Sequence, residues 1–495
     1  MNTSIVRYVL GTVLKMEAAL FLLPMLTAAI YQEKQGFAYV ITALLSLIPG
    51  MIMTRRKPKN NVFYLKEGCV TTSLSWILMS LIGCLPFVMT GEIPSFVDAL
   101  FETISGFTTT GASILSNVEA LSHASLMWRS FTHWVGGMGV LVFVLAIVPL
   151  SGGSSINLMR AESPGPSVGK LVPKVKYTAR ILYGIYVGLS VVEFLFLILG
   201  RMPLFDAITT TFGTAGTGGF GIKSDSMMSY SPYIQWVVAI FMIIFGINFN
   251  VYYLILFHNF KKAFRVEELR YFLLIIAGSI AIICCNTHQM FTSLAETFRH
   301  VTFQVASIIS STGFATVDFD LWPQTSRTLL VVLMLIGACA GSTGGGIKVS
   351  RIVIAVKTVV KELHSYIHPR SVRKVMFEGK PVDHDVVRSI NVFLVTYMLI
   401  FIVSTLLISF EGYDFVTNLT AVVTTLSNIG PGLAKVGPTC NFSFFHPFTK
   451  FVLMFDMLAG RLELFPVLLL FHPALWKDTF SQRILHHDCA AKSFR

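Results

Sequence analysis

The sequence predicts an all-α integral membrane protein: ten transmembrane helices and four re-entrant loops, arranged as four pseudo-symmetric helix–loop–helix repeats behind an N-terminal helix pair. Three observations carry this. The 495 residues are 54% hydrophobic and only 13% charged, with a mean hydropathy of +0.69. An ordinary soluble domain is about 25% charged, so a string of water-soluble domains is excluded. The apolar residues fall in runs that suit the roughly 20 residues a helix needs to cross the hydrocarbon core. Shorter runs rich in Thr, Ser and Gly recur between these spans.

The N-terminal pair covers about 8–30 and 37–54. Its first run carries Lys15 and Glu17 and lacks a small-residue cleavage site behind it, so it reads as a span rather than a cleavable leader. Further spans fall at about 69–90, 126–150, 179–200, 232–258, 270–290, 327–360, 388–410 and 447–472. Val70–Gly91, Tyr233–Phe257 and Ser389–Phe410 contain no charge. The predicted divisions are residues 1–60, the four repeats 61–160, 161–262, 263–380 and 381–480, and a tail at 481–495.

The formal charge of +12 suits nucleic acid or anionic lipid, and its placement decides between them. Arg55, Arg56, Lys57 and Lys59 follow the second span. Arg160, Lys170, Lys174, Lys176 and Arg180 lie between the fourth and fifth, and Lys261, Lys262, Arg265 and Arg270 between the sixth and seventh. Lys361, Arg370, Arg373, Lys374, Lys380 and Arg388 lie between the eighth and ninth; Lys477 and Arg483 follow the tenth. With ten spans, all fall on one side, which the positive-inside rule makes cytoplasmic, with both termini inside. The alternate connections are acidic or neutral. The excess charge is thus explained by topology and membrane lipid, without nucleic acid. The seven cysteines form no CxxC pair and read as small buried hydrophobes.

Four outer connections hold the extra segments Ala99–Ser116, Ala207–Ile222, Phe298–Val317 and Phe415–Leu433. Each is too short and too rich in Thr, Ser and Gly to span, which suggests a segment that enters the membrane and returns. Their tips read Thr108-Thr109-Thr110-Gly111-Ala112, Ala215-Gly216-Thr217-Gly218-Gly219-Phe220, Ser310-Ser311-Thr312-Gly313-Phe314 and Ser427-Asn428-Ile429-Gly430-Pro431. The glycines recur at intervals of roughly 95 to 117 residues, the scale of one span–loop–span unit. Four unrelated helix-end loops is the competing reading, since Gly and Thr are common at membrane helix ends. An ion pore explains the repetition better. Glycine lets a chain turn its carbonyls toward an axis, and carbonyl rings replace a cation's hydration shell. Carboxylates are absent from the tips, which favours a monovalent cation held by neutral oxygens.

The run from Arg327 to Glu362 exceeds one crossing and holds Gly341, Gly344, Gly345 and Gly346 within six residues. Each interior glycine costs about 1 kcal/mol relative to alanine, so the helix should break there. A small-residue packing patch is the alternative. Arg461 lies inside the last span near Asp456 and Glu463; it should face the bundle interior as a pore charge, the alternatives being a salt bridge with Asp456 or Glu463 or snorkelling to the interface.

With the tips, the four units and the N-terminal pair, the motifs Gly341-Ser342-Thr343-Gly344-Gly345-Gly346-Ile347-Lys348, Asn428-Ile429-Gly430-Pro431-Gly432 and Gly460-Arg461-Leu462 resemble the Trk/Ktr/HKT superfamily of potassium transporters, specifically its TrkH/TrkG-type membrane subunit. The resemblance runs from about residue 8 to 475. It implies potassium uptake across a bacterial cytoplasmic membrane, a homodimer, a cytoplasmic TrkA-type nucleotide-binding regulatory subunit, and no organic cofactor. It implies a potassium filter at Thr109, Thr110, Gly111, Thr217, Gly218, Gly219, Thr312, Gly313, Asn428, Ile429 and Gly430. It implies a gate at Gly341, Ser342, Thr343, Gly344, Gly345, Gly346, Lys348 and Arg461. A glycine at the first tip goes with potassium preference in that superfamily, and this chain has Gly111.

Other motifs carry less. Gly216-x-Gly218-x-x-Gly221 fits a dinucleotide fingerprint but has no βαβ setting. Gly341–Lys348 lacks the spacing and following hydroxyl of a P-loop. His364 and His368 sit at i and i+4 with no third metal ligand in view. No convergent nucleophile or acid–base set appears, so the chain is not expected to be an enzyme. A carrier coupling potassium to sodium or protons remains the alternative to a channel.

Overall fold

The computed structural model describes residues 1–58, 64–139, 175–370 and 373–476, with the side chains of 175–178 set aside. The basic residues Lys59, Arg160, Lys170, Lys174, Lys477 and Arg483 lie outside it.

Six helices are long and apolar enough to cross a membrane: Thr3–Tyr31, Gly36–Thr54, Leu65–Thr90, Ala179–Leu199, Glu267–Thr287 and His384–Ser409. They match six of the ten expected spans. Only 22% of the apolar window of His384–Ser409 is buried, and Val392, Val395, Leu399, Ile402 and Leu406 all face outward, so this helix presents its side to lipid. The N-terminal pair crosses through two glycines. A Cβ on Gly50 would stand 2.9 Å from Gly11 O, and one on Gly11 2.6 Å from Met53 Cβ. We expect Gly50→Leu to force the pair apart at a cost of about 1–3 kcal/mol, seen as a lower melting temperature in detergent.

The other four expected spans differ. The fourth is described only as His123–Gly137. The eighth is two helices, Gln324–Ile336 and Val349–Ile367, separated by the glycine loop. The tenth breaks after Arg461, where Glu463 and Leu464 take left-handed φ of 60° and 63° before Phe465–Leu469.

The sixth, expected to run unbroken through the charge-free 232–258, bends by 92° between Pro232–Gly246 and Phe249–Leu256. The cause lies in the glycine loop, which takes the hydrogen bonds a continuous helix would have made. Cys339 N donates to Gly246 O at 3.1 Å, Thr343 Oγ1 to Phe245 O at 3.2 Å, and Phe249 N to Gly341 O at 3.0 Å. Asn248 caps the second piece, its Oδ1 accepting from Asn250 N at 3.0 Å.

Between the spans stand four short helices: Phe96–Phe107, Leu204–Ala215, Leu294–Ile309 and Phe415–Leu426. Three have twelve residues, about 18 Å of helix, and Leu294–Ile309 has sixteen, about 24 Å, all short of the roughly 30 Å hydrocarbon core. Ser95, Ser293 and Asp414 cap three of them at the N-terminus through side-chain oxygens. From Ala99 to Phe107 every residue of the first is buried. The apolar core wraps these helices: one cluster holds Phe101, Phe107 and Val422, a second Ala215 and Phe303, a third Val305, Ile308 and Val423. One departure from the all-α expectation is a small antiparallel hairpin, Met376–Phe377 with Lys380–Pro381, inside the connection 361–388.

Candidate functional site

The four short helices end in the same way. The N–H groups of Thr110, Gly218, Thr312 and Ile429 reach back to the carbonyls of Ser105, Gly213, Ser307 and Thr424 at 2.9, 2.9, 2.8 and 2.9 Å. Those of Thr109, Thr217, Ser311 and Asn428 reach back to Gly106, Thr214, Ile308 and Thr425 at 3.1, 2.9, 3.1 and 3.3 Å. This is the Schellman closure, whose left-handed residue is usually glycine. Here that residue is a Thr, Thr, Ser or Asn, with φ of 54°, 54°, 59° and 56°. Two residues later come Gly111, Gly219, Gly313 and Gly430, with φ of 79°, 76°, 89° and 95°.

This repeat of backbone angles fixes the register of the second tip. Gly219, not Gly218, is the counterpart of Gly111, so Gly218-Gly219 occupies the place of Thr110-Gly111 and the expected pairing of Thr217-Gly218 shifts by one residue. Ser311, absent from the expected set, is the counterpart of Thr109. Its signal was present: Ser310-Ser311-Thr312-Gly313 parallels Thr108-Thr109-Thr110-Gly111.

The four tips meet. A Cβ on Gly111 would lie 2.0 Å from Gly218 O, on Gly219 1.9 Å from Thr312 O, on Gly313 2.1 Å from Ile429 O, and on Gly430 2.8 Å from Thr110 O. The sequence of contacts returns to its start, so the tips form one closed ring. Each glycine is required twice over, by its positive φ and by the carbonyl it abuts. Asn428 Nδ2 also donates to Thr110 Oγ1 at 3.0 Å and to Met457 O at 2.9 Å, fastening the fourth tip to the first. Thr110 Oγ1 lies 2.8 Å from Thr108 Oγ1, and Thr312 Oγ1 2.7 Å from Ser310 Oγ. With these hydroxyls engaged by protein, the carbonyls are the principal oxygens the ring offers. The first two glycines of the GxGxxG match serve packing: a Cβ on Gly216 would meet His133 O at 2.2 Å, and one on Gly218 the His133 ring at 2.2 Å.

The glycine loop packs against the bases of the third and fourth tips. Gly345 N donates to Ser311 Oγ at 2.5 Å. A Cβ on Gly344 would stand 2.7 Å from Ser310 O, and one on Gly345 2.2 Å from Ser427 O. Two cations hold the loop's carbonyls. Lys348, buried and at φ 87°, donates from Nζ to Gly344 O. Arg461 donates to Thr343 O at 2.8 Å, to Gly137 O at 2.7 Å and to Gly136 O. The acids near Arg461 in sequence are engaged with other residues: Glu463 pairs with Arg351, and Asp456 accepts from Ser404 Oγ at 2.7 Å. The oxygens that face the ring's glycines are backbone carbonyls and therefore neutral.

A family model described as TrkH, cation transport protein, matches residues 34–483. The chain belongs to the TrkH family. This TrkH-family chain is 36% identical over 480 residues to the Trk system potassium uptake protein TrkH of Salmonella typhimurium, across 95% of its own length and 98% of the relative's. It is 33% identical over 487 residues to the Trk system potassium uptake protein TrkG of Escherichia coli K12, across 97% and 100%. It superposes on the crystal structure of the potassium transporter TrkH from Vibrio parahaemolyticus with a TM-score of 0.86 at 30% identity, covering 96% of this chain and all of the other. These relatives are transporters, not enzymes, and the TrkH-family chain is a multi-pass membrane protein.

One buried pair in this TrkH-family chain was not among the expected sites, although an arginine inside the expected span 126–150 was a signal for it. Arg129 Nε donates to Glu102 Oε1 at 2.6 Å; Glu102 also accepts from Ser113 Oγ and Ile114 N, both at 2.9 Å. Arg129 Nη1 donates to Gly221 O at 2.7 Å, and its guanidinium lies 3.6 Å from the Phe220 ring centre. The pair thereby pins the chain leaving the first and second tips. Arg129→Met strands Glu102 without its cation and should cost about 3–5 kcal/mol, read as a fall in melting temperature that adding Glu102→Gln partly reverses.

Proposed function

We propose that this chain takes potassium up across the bacterial cytoplasmic membrane through a channel-like filter. The observation that carries the reading is the ring of Gly111, Gly219, Gly313 and Gly430 closed against the carbonyls of Gly218, Thr312, Ile429 and Thr110. Rings of neutral oxygens suit a dehydrated monovalent cation, and non-helical backbone at membrane depth is tolerated where it lines a water-filled path. Relatives named as potassium uptake proteins of the Trk system support the choice of ion.

In this reading potassium loses water at Thr110-Gly111, Gly218-Gly219, Thr312-Gly313 and Ile429-Gly430, with Thr109, Thr217, Ser311 and Asn428 shaping the inner edge. The loop Gly341–Gly346, with Lys348 and Arg461, closes the inner exit. The four repeats follow the divisions near 61–160, 161–262, 263–380 and 381–480, and both termini are cytoplasmic. The chain works as a homodimer, and its basic inner connections dock a TrkA-type nucleotide-binding subunit.

Potassium and sodium fluxes in proteoliposomes test the reading. We expect potassium flux that follows its own gradient and the imposed voltage, and that changes when the nucleotide-binding subunit is added with ATP or ADP. Flux that stops whenever sodium and proton gradients are removed would replace the channel with a coupled carrier.

A further inference from the structure

Glu268 stands in the first turn of Glu267–Thr287 with only 3% of its surface exposed. Its Oε1 accepts from Ala340 N at 2.7 Å and from Ser350 N at 3.1 Å. Its Oε2 accepts from Asn248 Nδ2 at 3.3 Å. Ala340 opens the glycine loop and Ser350 begins the helix that leaves it. One carboxylate therefore fastens both ends of the loop to each other and to the break in the sixth span. Its three donors are neutral N–H groups. A buried acceptor of this kind is strongly unfavourable once its donors leave, so the carboxylate and the packed loop hold each other in place.

The same turn is held from the other side. Glu378, at the turn of the hairpin, accepts from Glu267 N at 2.9 Å and from Glu268 N at 3.3 Å. A carboxylate there satisfies free N–H groups at a helix N-terminus and complements its dipole. Glu267 in return accepts from Glu378 N at 3.1 Å and pairs with Lys357, whose Nζ also donates to Met376 O at 2.8 Å. The hairpin thus sits directly on the turn that carries Glu268.

We propose that Glu268 is the positioning residue that keeps the glycine loop packed under the tips, and that the hairpin Met376–Pro381 sets Glu268 through Glu378. The consequence for flux rests on the gate reading above; the consequence for the loop does not.

Cys339, fully buried at the start of the loop, is a built-in reporter. In a chain whose other cysteines are alanine, maleimide labelling of Cys339 would be followed in nanodiscs. We expect Glu268→Ala to raise the labelling rate on the order of tenfold, the scale set by losing a charged acceptor, with Glu268→Gln in between and Glu378→Ala raising it by roughly threefold. A parallel chain keeping only buried Cys84 should label at an unchanged rate in all variants. Unchanged labelling of Cys339 in Glu268→Ala, or an equal rise at Cys84, overturns the proposal. Should Glu268→Ala fail to fold, the exposed Glu378→Ala decides, and unchanged Cys339 labelling there has the same force. Potassium flux that rises with labelling supports both readings. Labelling that rises while flux stays constant keeps the role of Glu268 and removes the loop as the gate.

Discussion

Gly111→Ser is expected to lower the preference for potassium over sodium by at least about tenfold, or roughly 1.4 kcal/mol between the two ions. Two effects combine. A side chain at φ 79° costs about 1–2 kcal/mol in backbone strain. A Cβ there would also lie 2.0 Å from Gly218 O, so the first and second tips must separate. A carbonyl ring that widens on one side no longer matches the coordination of the ion it was shaped for. Competitive potassium and sodium uptake into proteoliposomes measures the ratio. Gly219→Ser should act in the same way, since its Cβ would meet Thr312 O at 1.9 Å. Gly221→Ser is the control, because the nearest atom to its Cβ would be 3.4 Å away. An unaltered ratio in Gly111→Ser and Gly219→Ser would remove the ring as the selectivity filter.

Arg461→Ala should raise potassium flux in the absence of any partner subunit. The guanidinium bridges Thr343 O on the glycine loop to Gly136 O and Gly137 O at the end of His123–Gly137. Hydrogen bonds from a charged donor are worth about 1.5–3 kcal/mol each, so losing two or three of them shifts a closed-to-open balance by at least about a hundredfold. In the proposed gate the positive charge beneath the ring is lost at the same time. Arg461→Lys keeps that charge but lacks the planar fork, and should fall between the two. Shortening the Gly341–Gly346 loop should mimic Arg461→Ala. Flux that stays at the wild-type level in both variants would count decisively against this inner gate.

Six of the spans were legible because lipid imposes a one-dimensional rule of long apolar runs. The tips were legible because the same local chemistry recurs four times. The register of the second tip was not, because Gly216, Gly218, Gly219 and Gly221 all offer a glycine, and only the alternation of positive φ at Thr217 and Gly219 selects one. The glycine loop announced itself through four glycines in six residues. Its effect on the sixth span did not, since Gly246 alone stands at the bend and a single glycine is commonly carried within a membrane helix. That bend comes from hydrogen bonds to Cys339, Gly341 and Thr343, far along the chain. Glu102 with Arg129, and Glu268 with Ala340, were hidden for the same reason: 27 and 72 residues separate the partners.

The tip ring has a seam. Three of its four joints are so tight that an added methyl would sit about 2 Å from the facing oxygen, whereas at the fourth, between Gly430 and Thr110, the distance is 2.8 Å. The slack is relative, since 2.8 Å is still closer than a Cβ can approach, and it makes that joint the least tight of the four. Because the slack lies between the last tip and the first, the chain closes the hoop where its own continuity offers least help. The side-chain bond from Asn428 to Thr110 is the clasp that does so.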